Sequence, residues 1–319
     1  MAGTVVILGI FAADLSFRAQ RLPRMGETIL GDGFRLGPGG KGSNQAVAAA
    51  RSGAQVRFIT RIGRDPFGEM ALALWGSEGI DTRFVSVDDA PTGAAFIFVD
   101  RETGENAIIV ESGAAGRLGA TDLDGAVGAL QGADVFMTQL EQPVDAAFRG
   151  LELARQHGLR TILNPAPAAL LPDSIWALCD VVTPNEAEAS ALSGVPVQDL
   201  PSARAAADAL LRRGTRTAVI TLGANGVLVH EHGSSIHIPA FDAGRVIDTT
   251  GAGDAFAGAL AAAIAAGGST LDAARFGCVA AGLAVTRAGT AAAMPKAEDL
   301  RQVAERVSLE ALRFFSSRS

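Results

Sequence analysis

Short apolar runs of strand type recur along the chain, separated by stretches whose apolar positions repeat with helical period. The runs cover Val5–Ile10, Val56–Ile62, Val135–Gln139, Arg160–Leu163, Val181–Thr183, Ala218–Thr221 and Val227–His230. Helices are predicted between them over Ser43–Ser52, Gly68–Glu78, Val144–His157, Glu186–Leu192 and Ala203–Arg213. Near-continuous apolar strands alternating with helices are the pattern of a parallel sheet covered on both faces. The expected fold is therefore α/β and doubly wound, with a mostly parallel central sheet.

Two segments break that rhythm, at about 14–36 and about 92–110, where alternation occurs without long helices. The second, "TGAAFIFVDRETGENAIIV", predicts two strands around a Gly-, Asp- and Asn-rich turn at Asp100–Asn106. Together they predict a small β-sheet inserted into one α/β domain spanning 1–319. No internal repeat, charge run or low-complexity linker interrupts the chain.

Composition narrows the class. Hydrophobic residues make up 48% of the 319 and charged residues 19%, which argues for a compact globule rather than disorder. A net charge of −7 removes any global electrostatic case for nucleic acid or an anionic membrane surface. The two cysteines, Cys179 and Cys278, fit a reducing compartment without a disulfide framework. The start, Met1 to Phe11, is apolar but lacks the basic region of a signal peptide, and is expected to be a buried first strand. Ala255–Ala266 is too short to span a bilayer and reads as a packed helix. A cytoplasmic location is the expectation.

The glycine-rich stretches are where chemistry concentrates. "GAGDAF" at Gly251–Phe256 is not a dinucleotide fingerprint, because Phe256 stands where the third glycine is required. "GPGGKGSNQAVAAARSG" at Gly37–Gly53 is not a Walker A loop: Gly42 follows Lys41 where Ser or Thr is needed, and Arg35 stands at the first glycine. What remains in each is a glycine turn opening a helix, either a capped start or a backbone cradle for an anion. Ser43 and Asn44 suit the cap of the first helix, and Asp254 that of the second. In "TPNEAEAS", Asn185 and Glu188 share a face of a first helical turn, which equally fits a cap. "ITLGANGVLV" predicts two strands about a Gly-Ala-Asn-Gly turn. Asp14, Glu141, Asn185, Thr221 and Asp254 all fall at strand carboxyl ends, where open α/β sheets hold ligands. The four histidines show no metal or triad spacing; His230, His232 and His237 are expected on a surface hairpin, and no G-x-S-x-G elbow is present.

Taken together and in order, these motifs resemble the ribokinase, or PfkB, family of carbohydrate kinases. "GGKGSNQAVAA" (Gly39–Ala49) is similar to one family signature and "DTTGAGDAFAGAL" (Asp248–Leu260) to the other. "NPAPA" (Asn164–Ala168), "TPNEAEA" (Thr183–Ala189), "TLGANG" (Thr221–Gly226) and "AVTRAGT" (Ala284–Thr290) resemble ribokinases within that family. The resemblance implies ATP-dependent phosphorylation of a primary hydroxyl of a pentose, with ribose first and 2-deoxyribose, a modified ketose or a nucleoside as alternatives. It implies Asp254 as general base and Gly251, Ala252 and Gly253 as an anion hole. Asp14, Gly40, Lys41, Gly42, Asn44 and Glu141 would grip the sugar, alongside Asp254. Asn185, Thr221, Gly223, Ala224 and Gly226 would bind nucleotide with Gly253, and Glu188 would act on Mg²⁺ through water. K⁺ would sit on oxygens of Asp248, Thr250, Ala284, Arg287 and Gly289. The inserted β segments would form a lid that also makes a homodimer contact.

Two positions depart from the family pattern. Ala12 replaces an Asn that precedes the sugar-binding aspartate by two residues, which removes an amide from the sugar site. Ala293 stands where a serine is expected near the cation.

Overall fold

The computed structural model describes residues 3–307; Met1 and Ala2 of the apolar start lie outside them. The chain opens with β1 (Thr4–Leu8), β2 (Ala12–Ala19) and β3 (Gly33–Gly39), then α1 (Lys41–Arg51), β4 (Gln55–Gly63) and α2 (Pro66–Ser77). Next come β5 (Val85–Asp88), β6 (Thr92–Asp100), β7 (Asn106–Gly113), α3 (Ala120–Gly125), β8 (Val135–Thr138), α4 (Val144–Gln156) and β9 (Arg160–Leu163). The second half adds β10 (Val181–Val182), α5 (Glu186–Ser193), α6 (Leu200–Arg212), β11 (Thr217–Thr221), β12 (Val227–Glu231) and β13 (Ser234–Ile238). It ends in α7 (Ala252–Ala265), α8 (Thr270–Ala284) and α9 (Ala297–Val307).

Nine strands form the main sheet in the order β13-β12-β11-β10-β9-β8-β1-β4-β5. Pairings from β5 to β11 are parallel, while β12 and β13 turn back antiparallel. The core strands alternate between two apolar clusters. Val5 and Ile7 of β1 face a cluster with α1, α2, α7 and α8, whereas Val6 and Leu8 face one with α4 and α6. Val135 and Met137 of β8 divide from Phe136 in the same way. Both faces are thus covered, as the unbroken apolar runs required. β5 has no counterpart among the expected strands, because as an edge strand it carries half-exposed positions instead of an apolar run, whereas β13 closes the hairpin expected around His230 and His237.

The strand order reverses between β1 and β8. From β1 the chain winds one way through β4 and β5, then crosses to β8 on the other flank of β1 and winds away. Such a switch point leaves a crevice at the strand carboxyl ends. A second sheet, ordered β3-β2-β6-β7, rises beside it and is built from the two aberrant segments. It runs slightly past the expected limits, since Ala12–Ala13 and Pro38–Gly39 extend the β2–β3 pairing.

Helices α1 and α7 meet closely at Gly258, where an added Cβ would lie 2.5 Å from the Gln45 carbonyl oxygen and 2.6 Å from Ala48 Cβ. Gly258→Val should therefore destabilise the protein by about 1–3 kcal/mol through overpacking. Urea unfolding of the variant checks this, and an unchanged midpoint would contradict the close packing.

Candidate functional site

Helix α7 starts from Gly251, whose φ of 79° lies in the left-handed region open to glycine. Asp254 sits one turn in and does not cap it. Its carboxylate, on a residue only 7% exposed, reaches across to α1 instead. Asn44 Nδ2 donates to Asp254 Oδ2 at 3.0 Å, and Gln45 Nε2 donates to Oδ1 at 2.9 Å. The cap expected at Ser43 and Asn44 is also absent. Gly40, with φ 84°, precedes α1, and a Cβ there would strike the Ala12 nitrogen at 2.7 Å. Ser43 accepts from Trp75 Nε1 at 2.9 Å. These side chains are drawn into tertiary bonds, which is why local capping rules fail at both helices.

The Asn185–Glu188 pair does cap. Asn185 Oδ1 accepts from the Glu188 N–H at 2.8 Å, and Glu188 Oε2 from the Asn185 N–H at 2.9 Å. The same two residues line a crevice with Lys41, Asn164, Thr183, Thr221, Gly251, Gly253 and Asp254. Cap and site are one arrangement here. Asn185 also bridges to Thr221, whose N–H donates to the Pro184 carbonyl at 3.0 Å, so the "TPNE" and "TLGANG" segments run side by side. Gly223, Ala224 and Asn225 form a single tight turn after Thr221. At Gly226, φ 89°, a Cβ would meet the Ile238 carbonyl at 2.1 Å, so only glycine closes this turn against β13. A Cβ on Gly253 would meet nothing within 4 Å, which leaves the first-turn backbone of α7 open.

Asp14 and Glu141 flank the crevice from the two sides of the switch point. A Cβ at Gly39 would fall 2.2 Å from Asp14 Oδ1, so this glycine makes room for the carboxylate. Thr290 Oγ1 donates to Pro38 O at 2.8 Å and lies 3.3 Å from Asp14 Oδ2. The Lys41 N–H donates to Glu141 Oε2 at 2.7 Å. Burial pushes the Asp14 carboxyl up to about 6, against the Thr290 hydrogen bond and with help from nearby Asp254. Burial likewise pushes Glu141 up to about 7, against the pull of Lys41. Burial also raises Glu188. Lys41 is held above its usual value, chiefly by the Asp254 charge. Three carboxylates, those of Asp254, Glu141 and Glu188, therefore act on one lysine.

The residues expected around a cation form a neighbouring loop pair. The Ile247 and Asp248 N–H groups both donate to the Val285 carbonyl, at 2.8 and 3.2 Å. Asp248 accepts from Thr250 N–H at 2.9 Å and from Gly289 N–H at 3.0 Å. Burial would raise the Asp248 carboxyl, but these backbone hydrogen bonds outweigh it and the value falls. The Ala284 carbonyl accepts from the Arg287 N–H at 3.0 Å. Ala293, 1% exposed, presents only a methyl group, and Ala12, equally buried, packs in the apolar core beside Ile10.

Residues outside the expected set complete the site. Gln45, Gln139, Asn164 and Thr183 carry its internal hydrogen bonds, and Thr290 touches Asp14. Gln45, Asn164, Thr183 and Thr290 lie inside motifs visible in the sequence, but nothing in spacing tells a helix glutamine that its partner is a carboxylate on another helix.

This geometry, an open glycine turn facing a buried carboxylate at a switch point, is that of a small-molecule phosphotransferase crevice. The model of the pfkB family carbohydrate kinases matches residues 2–297. The chain is 39% identical over 306 residues to the ribokinase of Haemophilus influenzae, covering 96% of this chain and 99% of that one. It is 34% identical over 300 residues to the deoxyribokinase of Salmonella typhi, covering 93% and 97%. Its fold superposes on the Arabidopsis thaliana ribokinase complexed with ribose and ATP with a TM-score of 0.88, at 29% identity and 95% and 99% coverage. The chain belongs to the pfkB family of carbohydrate kinases.

Glu141 gives the site a pH signature. A carboxyl raised from 4.5 to about 7 on folding contributes stability that is full below the unfolded value and lost as pH rises through the folded one. Glu141→Gln, which cannot ionise, should gain stability relative to the parent between about pH 5 and about pH 8, by up to about 3 kcal/mol. Urea midpoints of both proteins at the two pH values check this, and a difference that does not change with pH would refute it.

Proposed function

We propose that the protein is an ATP-dependent ribokinase that transfers the γ-phosphoryl group to the primary hydroxyl of ribose. The observation that carries this reading is the buried Asp254 carboxylate at the open start of α7, on the same crevice as Lys41, Asn185 and Glu188. Full-length likeness to ribokinases supports the sugar class.

In this scheme Asp14 and Glu141 accept hydrogen bonds from sugar hydroxyls, and the Gly40–Asn44 turn closes over the ring. Asp254 takes the proton of the attacking hydroxyl as its bond to phosphorus forms. The N–H groups of Gly251, Ala252 and Gly253 stabilise the charge that develops on the transferred phosphoryl. Phosphoryl transfer needs positioning and charge neutralisation more than covalent chemistry, and Lys41 adds a cation in the crevice. Asn185 and the Thr221–Gly226 turn hold the nucleotide. Mg²⁺, when bound, neutralises phosphate charge; Glu188 fits it through water, since its Oε2 is already engaged by the Asn185 N–H.

K⁺ is assigned to oxygens of Asp248, Thr250, Ala284, Arg287 and Gly289. The tied loops around Asp248 support this, although Ala293 offers no hydroxyl. The small sheet acts as a lid and homodimer surface. On one face it exposes Phe17, Phe34, Leu36, Phe96 and Ile109, with the Phe17 ring tilted against Phe34 at 5.0 Å and Phe96 at 5.8 Å. An apolar patch of this kind marks an interaction site. The absence of an amide at Ala12 favours a second reading, 2-deoxyribose, since an amide left out costs nothing to a sugar lacking the matching hydroxyl.

Asp254→Asn should lower kcat by about two to four orders of magnitude. ADP release measured with ribose, 2-deoxyribose and fructose separates the substrates: ribose should give the highest kcat/KM, and a higher value with 2-deoxyribose would move the assignment to the deoxysugar. Exchange of K⁺ for Na⁺ should slow turnover, and equal rates in the two would remove the cation assignment. Sedimentation at micromolar concentration should give a dimer; a monomer would contradict the lid contact.

A further inference from the structure

A buried amide chain runs from the main sheet to the Asp254 carboxylate. Its orientation is fixed link by link. Asn164, just past β9, donates Nδ2 to the Thr183 carbonyl at 2.7 Å, so its Oδ1 is an acceptor. Gln45 on α1 fills that acceptor with one Nε2 proton at 2.9 Å and gives the other to Asp254 Oδ1, also at 2.9 Å. The Gln45 Oε1 must then accept, and it does, from Gln139 Nε2 at 2.5 Å. Gln139 immediately follows β8. Among the described residues its own Oε1 has no partner, and it is seated 2.3 Å from where a Cβ would stand on Gly9. Gln45 and Gln139 are both fully buried. An orphaned buried oxygen is costly, of order 1–3 kcal/mol, so the arrangement is not a by-product of good packing.

We infer that Gln45 is a positioning residue for the phosphoryl transfer: it pins Asp254 Oδ1, and Gln139 and Asn164 pin Gln45 in turn. The inference rests on Asp254 being the base. Asn44 holds Oδ2 at 3.0 Å from the other side, so both carboxylate oxygens have an amide donor before any sugar enters. Neutral amides orient the carboxylate without adding a formal charge of their own beside it. The anchors of Gln45 sit at the ends of β8 and β9, interior strands of the main sheet, and so the base is registered to the sheet rather than to α7 alone. Gln45 acts through Asp254 and makes no bond to substrate in this scheme.

The test is a cycle on kcat with ribose and ATP, using Gln45→Met, Gln139→Met, Asp254→Asn and the double variant of Gln45 and Asp254. Misplacing a reacting group costs up to about 100-fold, so Gln45→Met should lower kcat about 10- to 100-fold, with KM for sugar and nucleotide changed less. Gln139→Met, which leaves Gln45 held by Asn164 alone, should give a smaller loss of the same kind. Adding Gln45→Met to Asp254→Asn should cost nothing further, because residues acting as a unit are not additive. A full additive loss in the double variant, or an unchanged kcat in both glutamine variants, overturns the inference. Full turnover by Asp254→Asn would instead overturn the base assignment and the inference together. Gln139→Met keeps the test open should Gln45→Met fail to fold.

Discussion

The contact between the Asp254 carboxylate on α7 and the Asn44 and Gln45 amides on α1 is the constraint on which the site depends. A carboxylate so deeply buried is tolerated only when its oxygens are satisfied. Here the donors come from a helix more than two hundred residues earlier in the chain. The contact therefore does two things at once. It locks two helices that pack through the small residues Gly258 and Ala48, and it brings the two glycine turns, Gly39–Gly42 and Gly251–Gly253, to one crevice. Through Gln139 and Asn164 the same bonds reach the ends of β8 and β9. Fold and site are held by one set of amides.

Electrostatics around that contact are deliberately unbalanced. Glu141, Glu188 and Asp254 gather about Lys41, Asp14 feels the charge of Asp254, and burial raises Asp14, Glu141 and Glu188 toward protonation. Polyhydroxyl ligands suit such a site, because each carboxylate gains a hydroxyl donor without a compensating charge. In the proposed scheme the phosphate side is different, because there the backbone N–H groups at the start of α7 supply donors that carry no negative charge. In that scheme, acceptors at one end of the crevice and donors at the other would orient a hydroxyl toward a phosphate.

Local patterns read the scaffold well and the caps poorly. Arg160–Leu163 has the same limits in sequence and structure, and most other strands and helices agree to within two or three residues, because apolar runs buried on both faces admit few other placements. The hairpin turn between β6 and β7 was equally legible from its Gly, Asp and Asn content. Local pattern left the cap open at Ser43, Asn44 and Asp254, and the structure removes it, because capping is a local preference and each is claimed by a distant partner. Asn185 and Glu188 were read correctly as a cap, and that assignment turned out to be compatible with lining the crevice.

The sequence by itself determined the parallel sheet, the inserted β segments, and the glycine motifs that identify the family. Those features rest on residue type and short-range spacing, which no distant contact alters. Only the tertiary structure decided that Gln45, Gln139 and Asn164 form one chain of amides to Asp254, and that Gly39 exists to admit the Asp14 carboxylate. A side-chain amide offers both a donor and an acceptor, and which it uses, and toward whom, is fixed only when the strands have been ordered and the helices docked.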